Sequence, residues 1–488
     1  MSSPCLIGWS QVSRCESEPL VAWASALADT GVDPTAIDSL DVVYCQSWPY
    51  DDPAGRLAEL VGATPRRSAY SGIGGTTPLQ LLIAAAGRVE AGESDVCAVV
   101  GGEALAQVRA IKKAGERPAW SHRDPDKKPF PFEAPFHPAE MAVELYQAYS
   151  TFAMRDVARR AHLGLGIDEH RRALGDLFAP MTKVAAANPH AWFPQQWTSA
   201  ELADVTIDNR MVAYPYTKRL VAVMDVDLSA AVVIASTEAA DRLGVPEDER
   251  VHLRGWASAT DPVYVAEHDE LWRSPGMARA LAGALSSAGV GIDDVAHADL
   301  YSCFPSSVLF AADALGLAVD DRLAPFTVTG GLPYAGGAGS CYLLSALAAM
   351  ADRLVEDPAS VGLVSGVGMH MTKHVAGVLS VTPRERIAVA PDPGPKVRRP
   401  IVDAHHGEAT VATYTVHHGR DGAATDAVLI CDVPGSSGQP AGQSTGARCY
   451  ARALDADLLA ALEAEEWVGR PVMLSDAGHG VNLARSAR

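Results

Sequence analysis

Two rhythms of apolar residues alternate along this chain. Ala- and Leu-rich stretches with apolar positions three and four apart are followed by short, nearly continuous apolar runs such as Val96 to Val100 and Ala230 to Ala235. The first rhythm predicts amphipathic helices and the second strands buried on both faces, the pattern of a sheet covered by helices. The order of elements also repeats. Leu27 to Cys45 (LADTGVDPTAIDSLDVVYC) is echoed by Leu285 to Cys303 (LSSAGVGIDDVAHADLYSC), with Gly31/Gly289, Asp41/Asp299 and Cys45/Cys303 each 258 residues apart. GGTTPLQLL at Gly74 to Leu82 is answered by GGAGSCYLL at Gly336 to Leu344, and VVGGEA at Val99 to Ala104 by VSGVGM at Val364 to Met369. Helix, Gly stop, strand, Gly-rich turn, helix and strand recur in one order, which predicts duplicated α/β halves.

The first-half pattern runs to about Gly102 and then breaks. Residues 107–215 are richer in Pro, aromatic and charged residues, as in WSHRDPDKKPFPFEAPFHP at Trp120 to Pro138 and NPHAWFPQQW at Asn188 to Trp197. Helical periodicity over Ala139 to Ala161 and Ile167 to Ala187 makes this an inserted, mostly helical domain. Ala230 to Ala235 supplies the last strand of the first half, and the second half runs from His252 to about Thr382. The units expected are 1–250 with the insertion at about 107–215, then 251–388, then 400–488. A Pro-rich linker, Ala390 to Pro400, precedes the last unit, where alternation over Ala409 to Val416 and Ala427 to Val433 predicts the strands of a small β domain.

Composition narrows the class. The chain has 488 residues, 48% of them hydrophobic, enough for two or three domains with a large core. A net charge of −19 repels nucleic acid and anionic lipid, and the basic clusters Arg159-Arg160, Arg171-Arg172 and Lys396 to Arg399 are short enough to read as solvated faces. Eight cysteines without a CxxC pair read as reduced, buried thiols. The start MSSPCLIGWS has no basic or apolar signal region, and the most apolar segment, Leu220 to Ser236, is interrupted by Asp225 and Asp227, so no membrane span is expected. The final SAR is not a usual peroxisomal tripeptide, which leaves the cytoplasm as the expected compartment.

Five stretches carry a family resemblance: SGIGGTTPLQLL at Ser71 to Leu82, NPHAWFP at Asn188 to Pro194, DNRMVAYPYTK at Asp208 to Lys218, GGLPYAGGAGSCY at Gly330 to Tyr342, and MTKHVAGV at Met371 to Val378. Together they resemble the thiolase superfamily, and within it the thiolase-like proteins of type 1, often labelled acetyl-CoA acetyltransferases. The resemblance implies an α/β thiolase fold, a C-terminal OB-like domain and acyl-CoA thioesters as the small-molecule partner in lipid metabolism. Coenzyme A is the one cofactor implied; no metal or nucleotide cofactor is expected, since no P-loop or GxGxxG spacing is present. Thiolases pair through the first-half sheet, so a homodimer is implied, or a monomer if the C-terminal domain blocks pairing.

The resemblance also shows what is missing. The family's nucleophilic Cys, whose pKa a helix N-terminus lowers, falls on Gly75, while Cys45 and Cys97 lie on predicted strands. The HPxG turn falls on Pro333 to Gly336 or Gly336 to Gly339 without a His, and the Cys of the CxG turn falls at about Val364. Thiolysis through an acyl-enzyme is therefore not expected. Backbone amides at Gly75 and at Gly366 to Gly368 retain the makings of an oxyanion hole, or are tight turns kept with the fold. Tyr301, in DLYSCFPS, stands where the family has its NEAF or HDCF motif, and Tyr334 adjoins the degenerate HPxG turn. Two phenols with pKa values shifted apart serve as acid and base, the arrangement implied by thiolase-like steroid side-chain retro-aldolases; the alternative for Tyr301 is an inward-packed aromatic.

His370 is the third catalytic candidate, a polar lining group four residues before His374. That spacing suits a metal only on a helix and with a third ligand. The doublets His405-His406 and His417-His418 offer one His each to a strand face, too few for zinc. His190, Lys218 and Arg219 are the candidates for CoA phosphates, with Trp192 and Phe193 along the pantetheine. Three readings follow: an acyl-CoA-binding thiolase-like protein without standard thiolase activity, a retro-aldol lyase acting on 3-hydroxyacyl-CoA, and a non-catalytic CoA-binding protein.

Overall fold

A computed structural model of the chain describes residues 4–127, 136–434, 446–478 and 480–487. Its strands in chain order are β1 (Pro4–Ser13), β2 (Ser39–Val42), β3 (Arg67–Tyr70), β4 (Val96–Ala104), β5 (Met211–Ala213), β6 (Tyr216–Thr217), β7 (Asp227–Ser236), β8 (Val251–Thr260), β9 (His297–Asp299), β10 (Gly362–Gly368) and β11 (Lys373–Ser380). β12 (Gly407–His418), β13 (Ala424–Asp432), β14 (Arg448–Ala453), β15 (Pro471–Asp476) and β16 (Asn482–Ser486) follow beyond the linker.

The sequence echo becomes a mirrored sheet. Nine strands run β3-β2-β4-β7-β1-β8-β11-β10-β9, so β2-β4-β7-β1 of the first half is answered by β9-β10-β11-β8 of the second. The halves join where β1 and β8 pair antiparallel at Cys5–His252 and Leu6–Val251. Helices Pro19–Asp29 and Pro275–Ala288 precede β2 and β9, and just beyond them Gly31 and Gly289 turn at φ +75 and +64, which glycine adopts without strain. Helices Thr77–Glu90 and Tyr342–Glu356 lead into β4 and β10. β7 shows why continuous apolar runs are needed: Ala230, Val232 and Ile234 belong to the core under helix Thr77–Glu90, while Ala231, Val233 and Ala235 pack with Trp23 and Leu27 of helix Pro19–Asp29 on the opposite face.

The insertion is helical, with two departures from the pattern read in sequence. The helix expected over Ala139 to Ala161 is two helices, Pro138–Ala142 and Ala148–Leu163. Glu144 turns at φ +59 between them, so that Val143 and Leu145 are both buried. Arg160 is not part of a solvated face but fully buried, bonded to Tyr214 Oη at 2.6 Å, Tyr414 Oη at 3.1 Å and Glu466 at 3.0 Å; Arg159 pairs with Asp313. Helix Ile167–Ala187 stands as read. Of the Trp120 to Pro138 stretch, residues 128–135 lie outside the described residues.

The last unit closes into a barrel in the order β12-β13-β14-β16-β15-β12, with helix Ala456–Ala464 between β14 and β15 and β14 parallel to β16. That is the strand order of an OB barrel. The insertion contributes β5 and β6 to its sheet through Ala213–His417, a junction that no strand pattern in the sequence announces. Among the described residues no helix is long and apolar enough to cross a membrane.

Candidate functional site

Helix Thr77–Glu90 begins at Gly74-Gly75-Thr76, and the second half converges on that start. An ideal Cβ on Gly75 would lie 2.5 Å from the Tyr301 hydroxyl and well inside van der Waals contact of the Val367 carbonyl. The phenol of Tyr301 therefore fills the space into which a side chain at position 75 would project. Gly366 comes close to the same turn, a Cβ on it lying 3.5 Å from the Gly75 carbonyl, and a Cβ on Gly368 would lie 3.4 Å from Thr76 Oγ1. Both glycines are β10 residues, opposite Val375 and Lys373 of β11. At Gly366 a Cβ would collide with Leu343 and Val375, at 2.5 and 2.9 Å, whereas at Gly368 it would meet only ordinary contacts.

Tyr301 follows β9 and is held at both ends of its peptide unit: its N–H donates to Ser365 Oγ at 3.1 Å, and its carbonyl accepts from Ser307 Oγ at 2.5 Å. It is 7% exposed, and burial pushes its pKa well up, with Cys303 and Cys341 adding to the effect. Its phenol is a neutral donor at ordinary pH. The ring packed edge-on against it, 5.6 Å away, is Tyr342, which the sequence reading did not single out. Tyr342 donates to buried Asp299 at 2.9 Å and exchanges a hydrogen bond with Thr329 at 2.7 Å; Asp299 also accepts from Thr327 Oγ1 and the Val328 amide. The Asp299 of the sequence echo is thus the anchor of the tyrosine behind Tyr301. Its counterpart Asp41 pairs with Arg67 and Arg88 instead.

Tyr334 stands elsewhere in the site. Its ring meets Phe178 of helix Ile167–Ala187 at 6.2 Å, its hydroxyl is buried with no hydrogen-bond partner among the described residues, and its pKa is raised by burial. The two phenols are thus shifted in the same direction. The NPHAWFP segment is laced to this turn: Phe193 N donates to Tyr334 O and Trp192 N to Ala335 O, both at 2.9 Å, and Asn188 Nδ2 donates to Thr329 O at 2.8 Å. His190 borders a small cavity there with Gly336 and Tyr342; burial lowers its pKa, with Asp352 opposing.

Lys218 is exposed at the end of β6. Arg219 stacks on Trp197 at 3.7 Å and donates to Glu201 O at 2.9 Å, so its guanidinium is already engaged by protein. His370 lies in the β10–β11 hairpin between Met369 and Met371, both at positive φ, 5.2 Å from Phe136, and burial lowers its pKa to about 4. His374 is on β11 rather than on a helix with His370, bonded to Asp261 at 3.0 Å. Cys45 lies beyond β2, not on it, with Sγ 3.6 Å from Glu103, whereas Cys97 is on β4. His417 bonds Ser150 and Asp426, and His418 bonds Gly422 and Glu463; among the described residues no cluster of ligating side chains suits a metal.

No protein-family model matches the chain, and no curated protein matches it by sequence. Among solved structures, a monomeric SCP2-thiolase-like protein type 1 from Mycobacterium smegmatis is similar with a TM-score of 0.84 at 30% identity, over 99% of each chain. The Ltp2-ChsH2(DUF35) aldolase is similar with a TM-score of 0.59 at 17% identity, over 78% of this chain and 98% of that one. Human mitochondrial 3-ketoacyl-CoA thiolase is similar with a TM-score of 0.56 at 14% identity, over 78% and 99%. At such identities the last two speak for the fold alone.

Proposed function

This chain belongs to the thiolase superfamily as an SCP2-thiolase-like protein of type 1, and from that premise we propose that it binds acyl-CoA thioesters at the Gly75 turn without thiolase chemistry. The observation that carries the proposal is the Tyr301 hydroxyl in the space of a residue-75 side chain. A phenol kept neutral by burial donates a hydrogen bond to a thioester carbonyl, which is the task of an oxyanion hole; it does not form an acyl-enzyme. On this reading, backbone N–H groups at Gly75, Gly366 and Gly368 are further candidate donors. His190, Lys218 and Arg219 are, on the same reading, the candidates for the CoA phosphates; Arg219 is already engaged by Trp197 and Glu201, and Lys218 is exposed with no ion pair among the described residues. A monomer is the favoured state, as in the similar type 1 protein; at the first-half edge strand β3, Arg66 and Arg67 are taken up by Asp38 and Asp41.

A retro-aldol reaction on a 3-hydroxyacyl-CoA is the second reading, favoured by the same phenol, since an enolate oxygen formed on carbon–carbon cleavage would sit at the donor. Both Tyr301 and Tyr334 are held protonated by burial, so on this reading they act as donors and another group takes the hydroxyl proton. The experiment is mass-spectrometric turnover of acetoacetyl-CoA plus CoA, and of 3-hydroxyacyl-CoA thioesters, alongside calorimetric binding of the same ligands. Thioester binding without turnover, weakened about tenfold in Tyr301→Phe, is the expected result. Cleavage of a hydroxyacyl thioester that Tyr301→Phe abolishes would make the protein a lyase. Thiolysis of acetoacetyl-CoA, or no binding at all, would overturn the proposal.

A further inference from the structure

A cleft of about 390 Å³ lies beside the Gly75 turn, walled by Gly72 to Gly74, Thr76 and Thr77, the end of β8 and the β10–β11 hairpin residues Met369, Lys373 and His374. In a chain of net charge −19, no carboxylate among the described residues lines it. Lys373 is exposed at the cleft and pairs with no carboxylate among the described residues. Helix Thr77–Glu90 starts in its wall with no side-chain cap on its N-terminus and no acidic residue in its first turn, so the positive end of the helix dipole is left uncompensated. Thr76, Thr77 and Gln80 add neutral donors from the same turn.

The histidine of the cleft points to a ligand independently. His374 has a 1% exposed side chain and is fixed by its Nε2, which lies 3.0 Å from Asp261 Oδ2 and 3.1 Å from Ser274 Oγ. Its Nδ1 has no hydrogen-bond partner among the described residues. An orphaned buried nitrogen is costly unless something completes it. The charge of Asp261 is already taken up behind the ring, by the Gly276 amide at 2.7 Å, by Ser274 and by the start of helix Pro275–Ala288, so it does not repel an anion in the cleft.

We propose that this cleft is an oxyanion-binding site for a carboxylate or a phosphate ester, held between the start of helix Thr77–Glu90, Lys373 and the Nδ1 of His374. Asp261 accepts from the Nε2–H of His374, so Nδ1 donates to the ligand only in the imidazolium, which forms by uptake of one proton from solvent as the anion binds.

The test is calorimetric titration of the full-length protein at low ionic strength with inorganic phosphate and, separately, glutarate, with glycerol as the uncharged control. At least one anion binds and glycerol does not. Lys373→Met, an exposed substitution, weakens binding about fivefold. Gln80→Glu places a carboxylate on the first helical turn; it abolishes anion binding while raising Tm, because it completes the helix start. A response to phosphate alone identifies a phosphate ester as the ligand class, and to glutarate alone a carboxylate. Absence of binding by both anions, equal binding of glycerol, or binding unchanged in both variants would overturn the assignment.

Discussion

Gly75→Ala is the smallest perturbation that tests whether Tyr301 has taken the place of a side chain at position 75. The new methyl would overlap two groups, the Tyr301 hydroxyl at 2.5 Å and the Val367 carbonyl at closer range. The phenol can swing aside only by disturbing its edge-on contact with Tyr342, and Val367 is fixed opposite His374 in the β10–β11 ladder. Neither neighbour is the free end of a flexible chain, so the overlap is relieved by backbone movement, an overpacking that costs about 3 kcal/mol. With an unfolding entropy of about 2.1 cal/mol/K per residue, roughly 1 kcal/mol/K for the whole chain, Tm falls by about 3 °C, or more if the sheet unfolds as its own unit. Differential scanning calorimetry and urea unfolding measure this directly. A second variant apportions it: Tyr301→Ala alone opens a cavity costing about 3–4 kcal/mol, but in combination with Gly75→Ala it removes one of the two overlaps. The double variant is then less destabilised than the two singles predict by about 1 kcal/mol or more. If Gly75→Ala is as stable as wild type, or if the two substitutions add, the phenol does not occupy that space and the functional argument built on it fails.

Asp299→Ala leaves Tyr342, Thr327, Thr329 and the Val328 amide without their shared acceptor, and costs about 3 kcal/mol or more in urea unfolding, whereas Tyr342→Phe costs about 1 kcal/mol. His370 is buried with its pKa lowered to about 4, so the unfolded chain takes up its proton first as pH falls below about 6.5. The stability His370 contributes is full above that pH and is lost towards pH 4, up to about 3 kcal/mol. The gap in Tm between wild type and His370→Gln therefore narrows from pH 7 to pH 4.5, a difference measurement that cancels the buried carboxylates Glu103 and Asp299, whose raised pKa values act in the opposite direction. Arg160→Met removes the partner of Tyr214, Tyr414 and Glu466 together and lowers stability by about 3 kcal/mol, with faster hydrogen exchange in β12 as the local readout.

The duplicated architecture was readable because each half had to bury strands on both faces and stop helices at glycine, demands that act on local sequence. The 258-residue echo became the mirrored strand order, and the alternation beyond the linker became an OB barrel. The site was readable only in part. Tyr301 and Gly75 could be placed near each other by resemblance, but the hydroxyl filling the residue-75 space depends on a contact between segments 226 residues apart in sequence. Tyr342 carried a faint signal, an aromatic at the first helical position after a Gly-rich turn, yet nothing local ties it to Asp299. Buried charge was least legible. The Arg159-Arg160 cluster read as a solvated face and Arg155 drew no reading, yet Arg155 and Arg160 are both fully buried because partners from other segments meet them. β5 and β6, three and two residues long, are too short to show a period at all.

Those buried arginines explain how a barrel distant in sequence bears on Tyr301. Helix Ala148–Leu163 is desolvated on both sides. Towards the barrel, Arg160 meets Tyr414 and Glu466, and the Met154 carbonyl accepts from Thr413. Towards the second half, Arg155 donates to the carbonyls of Leu271 and Arg273 and meets His268. Charged groups taken out of water gain little net stability, but they penalise every arrangement in which a partner is missing, so they fix one docking geometry. The favourable term comes from the apolar cluster in which Val143, Leu145 and Met154 of the insertion meet Val265 and Leu271 of the second half and Val428, Ile430 and Tyr450 of the barrel. From the same helix the Phe152 carbonyl accepts from Ser306 and from Tyr216, and the Phe152 ring packs on Phe304 at 4.7 Å, three residues from Tyr301. The barrel therefore helps to set the segment that delivers the phenol to Gly75. A fused barrel docked by buried polar partners is consistent with a site that relies on a donor held in one position rather than on a reactive nucleophile, because a neutral phenol acts only through where it is held.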